Sequence, residues 1–129
     1  MILETTFLHD LMYGEDNAVE KARELDESGN VSLSSMTVYE LYYGVGYTDK
    51  GSGEKEKIDS VIGSKQVLPA DAPVMRKAGR IDGKLSRDGE KVGQADTVIG
   101  ATGVLHDRPV LTRNVAEFER IPELEVETY

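Results

Sequence analysis

Apolar residues along this chain fall into two alternating patterns. Short runs (Met1-Ile2-Leu3, Val31-Ser32-Leu33, Val67-Leu68, Pro109-Val110-Leu111 and Leu124 to Val126) read as strands. Longer stretches between them carry apolar residues at helical spacing. Thr5 or Thr6 is placed to cap a helix that runs to about Tyr13, where Gly14 stops it. Ala18, Ala22 and Leu25 mark a second helix, ended by Ser28-Gly29-Asn30. Ser34 or Ser35 caps a third, with Val38, Leu41, Tyr42 and Val45 on one face. The segment from Tyr47 to Gly53 is rich in Gly, Ser and Thr and reads as a loop before a charged helix holding Ile58, Val61 and Ile62. The longest helix spans Asp71 to about Arg87, with Val74, Ala78, Ile81 and Leu85 as its stripe and Gly89 beyond its end. Gln94 to His106 is a helix of small and branched apolar residues, a composition that implies close packing. Val115 to Phe118 is a short helical turn.

Strands and helices alternate almost throughout. That order predicts an α/β fold with a central, mostly parallel sheet of four or five strands and helices on both faces. The 129 residues suit one domain, 1–129, with no internal repeat. In such folds the active site lies beyond the carboxyl ends of the strands. That rule selects Glu4 after the first strand and Thr112-Arg113-Asn114 after the fourth, together with residues opening the helices that follow.

Composition narrows the chemistry. There is no cysteine, which removes disulfides and thiolate ligands, and His9 and His106 are the only imidazoles. A metal here would have to be held by oxygen, which favours Mg²⁺ or Mn²⁺. No stretch is long and apolar enough to span a membrane. Met1 to Thr5 lacks a basic leader and apolar segment, so a cytoplasmic location is expected. The formal net charge of −9 works against a polyanionic ligand at long range. Screening beyond about 8–10 Å lets local basic stripes matter more than the total. General solvation of the surface, or a basic partner, would also account for the acidity.

Four acids sit inside apolar or small-residue segments: Glu4, Glu40, Asp96 and Glu117. Any one of the 24 acids is ordinarily solvated surface or a helix-end carboxylate. Several converging at one pole would repel one another unless a cation intervened. The economical reading is a carboxylate cage for one or two Mg²⁺ or Mn²⁺ ions, with Glu4, Glu40 and Asp96 as ligands. Such a cage activates water and neutralises charge at a phosphodiester. An aspartyl-phosphate mechanism would want an Asp nucleophile with a second Asp two residues on, and Glu4 and Thr6 stand in those places.

The same segments resemble a known family. Met1-Ile2-Leu3-Glu4-Thr5-Thr6-Phe7-Leu8-His9-Asp10-Leu11, Val38-Tyr39-Glu40-Leu41-Tyr42-Tyr43-Gly44, Gly93-Gln94-Ala95-Asp96-Thr97-Val98-Ile99-Gly100-Ala101 and Leu111-Thr112-Arg113-Asn114-Val115-Ala116-Glu117-Phe118 are similar to the four acidic motifs of PIN-domain ribonucleases, in order and over nearly the whole chain. The likeness is strongest to VapC toxins of toxin–antitoxin pairs. It implies a three-layer α/β/α PIN-like fold and a Mg²⁺- or Mn²⁺-dependent endoribonuclease. It also implies a homodimer and inhibition by a cognate antitoxin. Glu40 and Asp96 match acidic positions of the family outright. The first position is usually Asp, and Glu4 is one methylene longer. That places its carboxylate about 1–1.5 Å farther into a site with strict Mg²⁺ geometry, and misplacement by about 1 Å can cost on the order of 100-fold. Reduced activity is therefore expected, and the alternative function is a catalytically weakened PIN-like binding module. The fourth motif often has an acid where Asn114 stands, or Asp where Glu117 stands.

Basic and aromatic residues supply candidates for substrate and partner. Arg76, Arg80, Lys84 and Arg87 share one helix face and read as a phosphate-binding edge or as a solvated face. Thr112, Arg113, Asn114 and Arg80 are the candidate RNA contacts, Arg113 being nearer the acids. Thr5 and Thr112 could bond a phosphate or simply cap a helix. Of Tyr39, Tyr42, Tyr43 and Tyr47, some must be core; the rest could stack on bases or form an interface, and the resemblance, which puts the antitoxin groove near this region, implies a partner surface for Tyr43 and Tyr47.

Overall fold

The short apolar runs form a wholly parallel sheet of five strands in the order β3-β2-β1-β4-β5. The computed structural model describes residues 1–48, 52–63 and 65–129. The strands are β1 (Ile2–Leu3), β2 (Ser32–Ser34), β3 (Gln66–Leu68), β4 (Val110–Leu111) and β5 (Val126–Glu127). The helices are α1 (Thr5–Met12), α2 (Asp16–Ser28), α3 (Ser35–Thr48), α4 (Ser52–Ile62), α5 (Ala72–Arg87), α6 (Gln94–Leu105) and α7 (Val115–Phe118). This is the three-layer α/β/α arrangement that the alternation predicts.

Strand period sorts the core into two. Ile2 and Val110 point to one face of the sheet and pack with Val74, Ala78, Ile81 and Leu85 of α5, Ile99 of α6 and Phe118 of α7. Leu3, Leu33 and Leu111 point to the other and pack with Phe7, Leu8, Ala18, Leu41 and Ile58 of α1 to α4. Register is direct: Ile2 lies opposite both Ser32 and Val110, and Leu3 opposite Leu111. The central strands are buried on both faces, so they read as plain apolar runs rather than alternating ones.

Element boundaries follow local chemistry with three departures. Asp71 accepts from the Val74 N–H at 3.2 Å and Gly89 takes a left-handed φ of 70° beyond α5, as its sequence demands. At α1, however, Glu4 is the N-cap residue and no side chain caps the helix; Thr5 and Thr6 lie inside it with their hydroxyls engaged elsewhere. Helix α3 runs to Thr48 and α4 starts at Ser52, so the expected loop is helical at both ends, and positions 49–51 lie outside the described residues. Burial of Leu41, with Tyr42 and Val45 packed beside it, overrides the glycine content of α3. The last strand is Val126–Glu127, shifted from Leu124 to Val126. The Val110 and Thr112 N–H groups donate to Glu125 and Glu127 carbonyls, while Leu124 packs into the core beside Gly103.

Gly103 is a close-approach position. A Cβ there would stand 2.9 Å from the Arg108 carbonyl oxygen and 2.8 Å from Leu124 Cδ1. Backbone cannot yield as a flexible side chain does. Gly103→Ala is expected to lower unfolding free energy by about 1–3 kcal/mol through overpacking, read by urea denaturation; an unchanged midpoint would contradict this packing.

Candidate active site

Order in the sheet places the functional residues. The chain moves outward from β1 in one direction to β2 and β3 and in the other to β4 and β5, so the sheet's switch point lies at β1, at whose carboxyl end stands Glu4. The Glu4 N–H donates to Leu111 O at 3.0 Å, and its carbonyl accepts from Phe7 and Leu8, so its backbone is fixed as it passes from strand to helix. Its side chain is 1% exposed. Thr6 and Thr112 hydroxyls donate to the same oxygen, Oε1, at 2.6 and 2.5 Å. Each hydroxyl accepts a backbone N–H in turn, Thr6 from Arg113 at 3.0 Å and Thr112 from Asn114 at 2.9 Å. With those acceptor roles filled, the single proton of each hydroxyl is directed at Glu4.

Glu40 reaches the same point from α3, where Thr5 donates to it at 2.6 Å. Asp96 reaches it from the first turn of α6. One oxygen from each of Glu4, Glu40 and Asp96 lies within 4.8 Å of the others. Glu117, exposed on α7, stands outside that group but within hydrogen-bond reach of Asp96.

The electrostatics of the three are unbalanced. Among the described residues no lysine or arginine forms an ion pair with Glu4, Glu40, Asp96 or Glu117. Two like charges about 4 Å apart repel by about 4 kcal/mol at an effective dielectric of about 20. Burial, then the Glu4 charge, pushes Asp96 up to about 7, with Glu117 and Glu40 adding to the shift. Burial also raises Glu40, helped by Glu4 and opposed by the Thr5 hydroxyl. Such a site must take up protons or a cation. Three hard, anionic oxygen donors around a common point suit a divalent ion of the Mg²⁺ or Mn²⁺ type.

The other predicted contacts fare differently. Thr112 belongs to the site, but its hydroxyl is committed to Glu4. Arg113 does not extend its charge toward the cage: its Nη1 donates to both Asp10 oxygens, at 2.8 and 3.0 Å. Asn114 is exposed at the start of α7, at the rim. Arg80 borders a shallow cleft with Arg76, Lys77 and Leu105 that includes none of the four acids. It lies with Arg76, Lys84 and Arg87 on the solvated side of α5, opposite the buried stripe.

Asp10 is the residue that sequence reading missed. It is 7% exposed on α1 and accepts from Arg113 and, at 2.5 Å, from the Tyr129 hydroxyl. The Tyr129 ring meets Phe7 edge-on at 5.0 Å. Burial first, then the bond to Asp10, holds the Tyr129 phenol well above its ordinary pKa. The pair anchors Arg113, whose N–H orients Thr6 toward Glu4. Only the apolar setting of Asp10, between Leu8 and Leu11, hinted at this role. Asp10→Asn is expected to cost about 1–3 kcal/mol of stability and Tyr129→Phe about 1 kcal/mol, by urea unfolding; equal and negligible losses would contradict the anchor.

Comparison with known proteins bears on this geometry. The chain matches the PIN domain family over residues 1–124. It is 30% identical over 101 residues to the tRNA(fMet)-specific endonuclease VapC of Shigella flexneri, covering 78% of this chain and 76% of that one. Ribonuclease VapC2 of Rickettsia felis is 26% identical over 105 residues, covering 81% and 78%. Among solved structures, DNA-bound VapBC from Salmonella typhimurium matches with a TM-score of 0.83 at 27% identity, over 98% of this chain and 96% of that one. VapBC2 from Rickettsia felis bound to a promoter DNA fragment matches with a TM-score of 0.90 over 99% and 97%, at 23% identity, a likeness of fold alone. The chain belongs to the PIN domain family, as an endoribonuclease toxin of the VapC kind.

Proposed function

We propose that this chain hydrolyses RNA phosphodiesters at the cage formed by Glu4, Glu40 and Asp96, with Mg²⁺ or Mn²⁺ held there. The observation that carries the reading is the convergence of three carboxylate oxygens within 4.8 Å, with no lysine or arginine among the described residues paired to them. When bound, the ion supplies activation of water and neutralisation of charge developing on the phosphate. The chain's own residues prepare that chemistry. Thr6 and Thr112 hold Glu4 by one oxygen and leave the other for the ion. Thr5 fixes Glu40, and Glu117 stands beside Asp96 as an auxiliary acid at the rim. Asn114, exposed at the rim, would donate its amide to a phosphate oxygen. Arg113 acts through Asp10 as a support of the site rather than as a phosphate contact.

Partners follow the same line of reasoning. Relatives crystallised as VapBC pairs support a cognate antitoxin for this chain as well. The homodimer and the regulation by antitoxin rest on family likeness. No helix among the described residues is long and apolar enough to cross a membrane.

The longer Glu4 bears on the weakened-module alternative. Its carboxylate arrives at the common point with two hydroxyl bonds in place, which supports a competent cage. Shortening it would retract the carboxylate by about 1–1.5 Å and strain those bonds. A single-stranded RNA cleavage assay tests the proposal. Cleavage is expected with Mg²⁺ or Mn²⁺ and none with EDTA. Asp96→Asn is expected to cost on the order of 100-fold or more, and Glu4→Asp to bring no gain. Cleavage in EDTA would sink the cage mechanism; a faster Glu4→Asp enzyme would favour the weakened module.

A further inference from the structure

We propose that the cleft between α1, α3 and α4 is a nucleotide subsite, with His9 and Tyr13 as a stacking wall for a base and Lys57 as a phosphate contact. This rests on RNA being the substrate of the adjoining cage and specifies where the strand beside the scissile bond lies.

The cleft has a volume of about 550 Å³, inside the usual range of about 300–1,000 Å³ for ligand sites. Thr5 and Glu40 line it, and both belong to the cage. A nucleotide whose phosphate sits at the cage therefore has its neighbour at the mouth of this cleft. The other large cleft near the acids, about 510 Å³ between α3, α5 and α6, suits a phosphodiester strand poorly. It is lined by Met36, Met75 and Asp82, whose Oδ1 atom is paired with the Lys91 ammonium at 3.5 Å. Its lining includes no lysine, arginine or histidine. The α1–α3–α4 cleft includes both Lys57 and His9. Arg113, a further cation near the acids, is tied to Asp10. The two linings carry the same formal charge, because Glu40 and Glu54 accompany Lys57 in one and Asp82 is the charged residue of the other; what sets the α1–α3–α4 cleft apart is a lysine able to meet a phosphate beside a pair of rings able to meet a base.

The wall is also built for stacking. Tyr13 is 52% exposed, so a base can reach its ring, yet it is held on three sides. Its hydroxyl donates to Glu54 at 2.8 and 2.9 Å, and the Lys57 ammonium stands 4.7 Å from its ring centroid. His9, one helical turn earlier on α1 and exposed, lies with its ring centroid 4.8 Å away. A fixed pair of rings loses little freedom when a base settles on it, and every base offers a π-face. Glu54 also lines the cleft, with both its oxygens bonded by the Tyr13 phenol.

The test measures binding separately from cleavage. In an Asp96→Asn background, affinity for a short fluorescein-labelled single-stranded RNA is read by anisotropy over a KCl series. Lys57→Gln is expected to flatten the slope of log affinity against log salt by about 0.7, the share of one phosphate contact on a single strand. His9→Ala is expected to weaken binding by about 5- to 150-fold, the worth of one stacked base, with the slope unchanged. In the otherwise unaltered chain both substitutions should raise KM more than they lower kcat. If both variants bind RNA with native affinity and slope, the subsite is wrong even where the native chain cleaves RNA. If the native chain cleaves no RNA with Mg²⁺ or Mn²⁺ while the binding effects hold, the hydrolytic reading fails and the subsite stands. Native affinity combined with lost sensitivity to a protein partner would assign the cleft to that partner and overturn the proposal.

Discussion

Three carboxylates converge at one end of the sheet, no lysine or arginine among the described residues is paired with them, and the local architecture is arranged around that repulsion. Glu4 comes from the end of β1, Glu40 from α3 and Asp96 from α6, elements that lie far apart in sequence. Their placement requires the parallel sheet, because only parallel strands put every strand-to-helix turn of this kind at one pole. The cost falls most visibly on Asp96, held near neutral pH by burial and its acidic neighbours. Folding tolerates it because hydroxyl groups, not cations, supply the hydrogen bonds: Thr5 to Glu40, Thr6 and Thr112 to Glu4. A hydroxyl satisfies a carboxylate oxygen without cancelling its charge. The site therefore keeps its affinity for a divalent ion, whereas an arginine in place of Thr6 or Thr112 would have neutralised it.

Much of this was legible in the chain. Strands buried on both faces announce themselves as short apolar runs, and the α5 stripe of Val74, Ala78, Ile81 and Leu85 is buried as its spacing requires. Glu4, Glu40 and Asp96 stood out because each interrupts an apolar or small-residue segment. Their meeting at one point follows from topology and needed no long-range guess. What local pattern could not give was the support behind the site. Asp10 and Arg113 are 103 positions apart and Asp10 and Tyr129 are 119 apart, so nothing in the neighbourhood of either marks the contact. The threonines misled for a related reason. A Thr at a strand-to-helix junction reads as a cap, and here the same hydroxyls serve a carboxylate. Arg113 misled because charge near a site is easily assigned to substrate when an internal partner is out of view. The end of α3 was obscured by its own glycines, whose weak propensity yields to packing of Leu41 and Val45.

Charge distribution reconciles an acidic chain with a polyanionic substrate. The total of −9 is spread over the surface, and screening limits its reach to about 8–10 Å. Within that distance the placement of individual basic side chains matters more than the sum. The α5 arginines, which look like a binding edge in sequence, face solvent beside a cleft that includes none of the acids. The cleft that adjoins the cage is lined instead by Lys57 of α4 and the His9 ring of α1. Site and substrate path are thus set by different elements, the cage by sheet topology and the path by the helices over its edge.

The central claim is that the cage is held open for a divalent ion by its own uncompensated charge. Thermal unfolding of the metal-free chain against MnCl₂, with Asp96→Asn in parallel, tests it most directly. At about 100 times the dissociation constant an ion adds about 2.7 kcal/mol to the native state, a rise in Tm on the order of 5–10 °C for a domain of this size. The account predicts that rise in the native chain. It predicts a higher starting Tm and little response to Mn²⁺ in Asp96→Asn, where one of the repelling charges is gone. A native chain whose Tm ignores Mn²⁺, or an Asp96→Asn variant that starts lower and still responds in full, would contradict it.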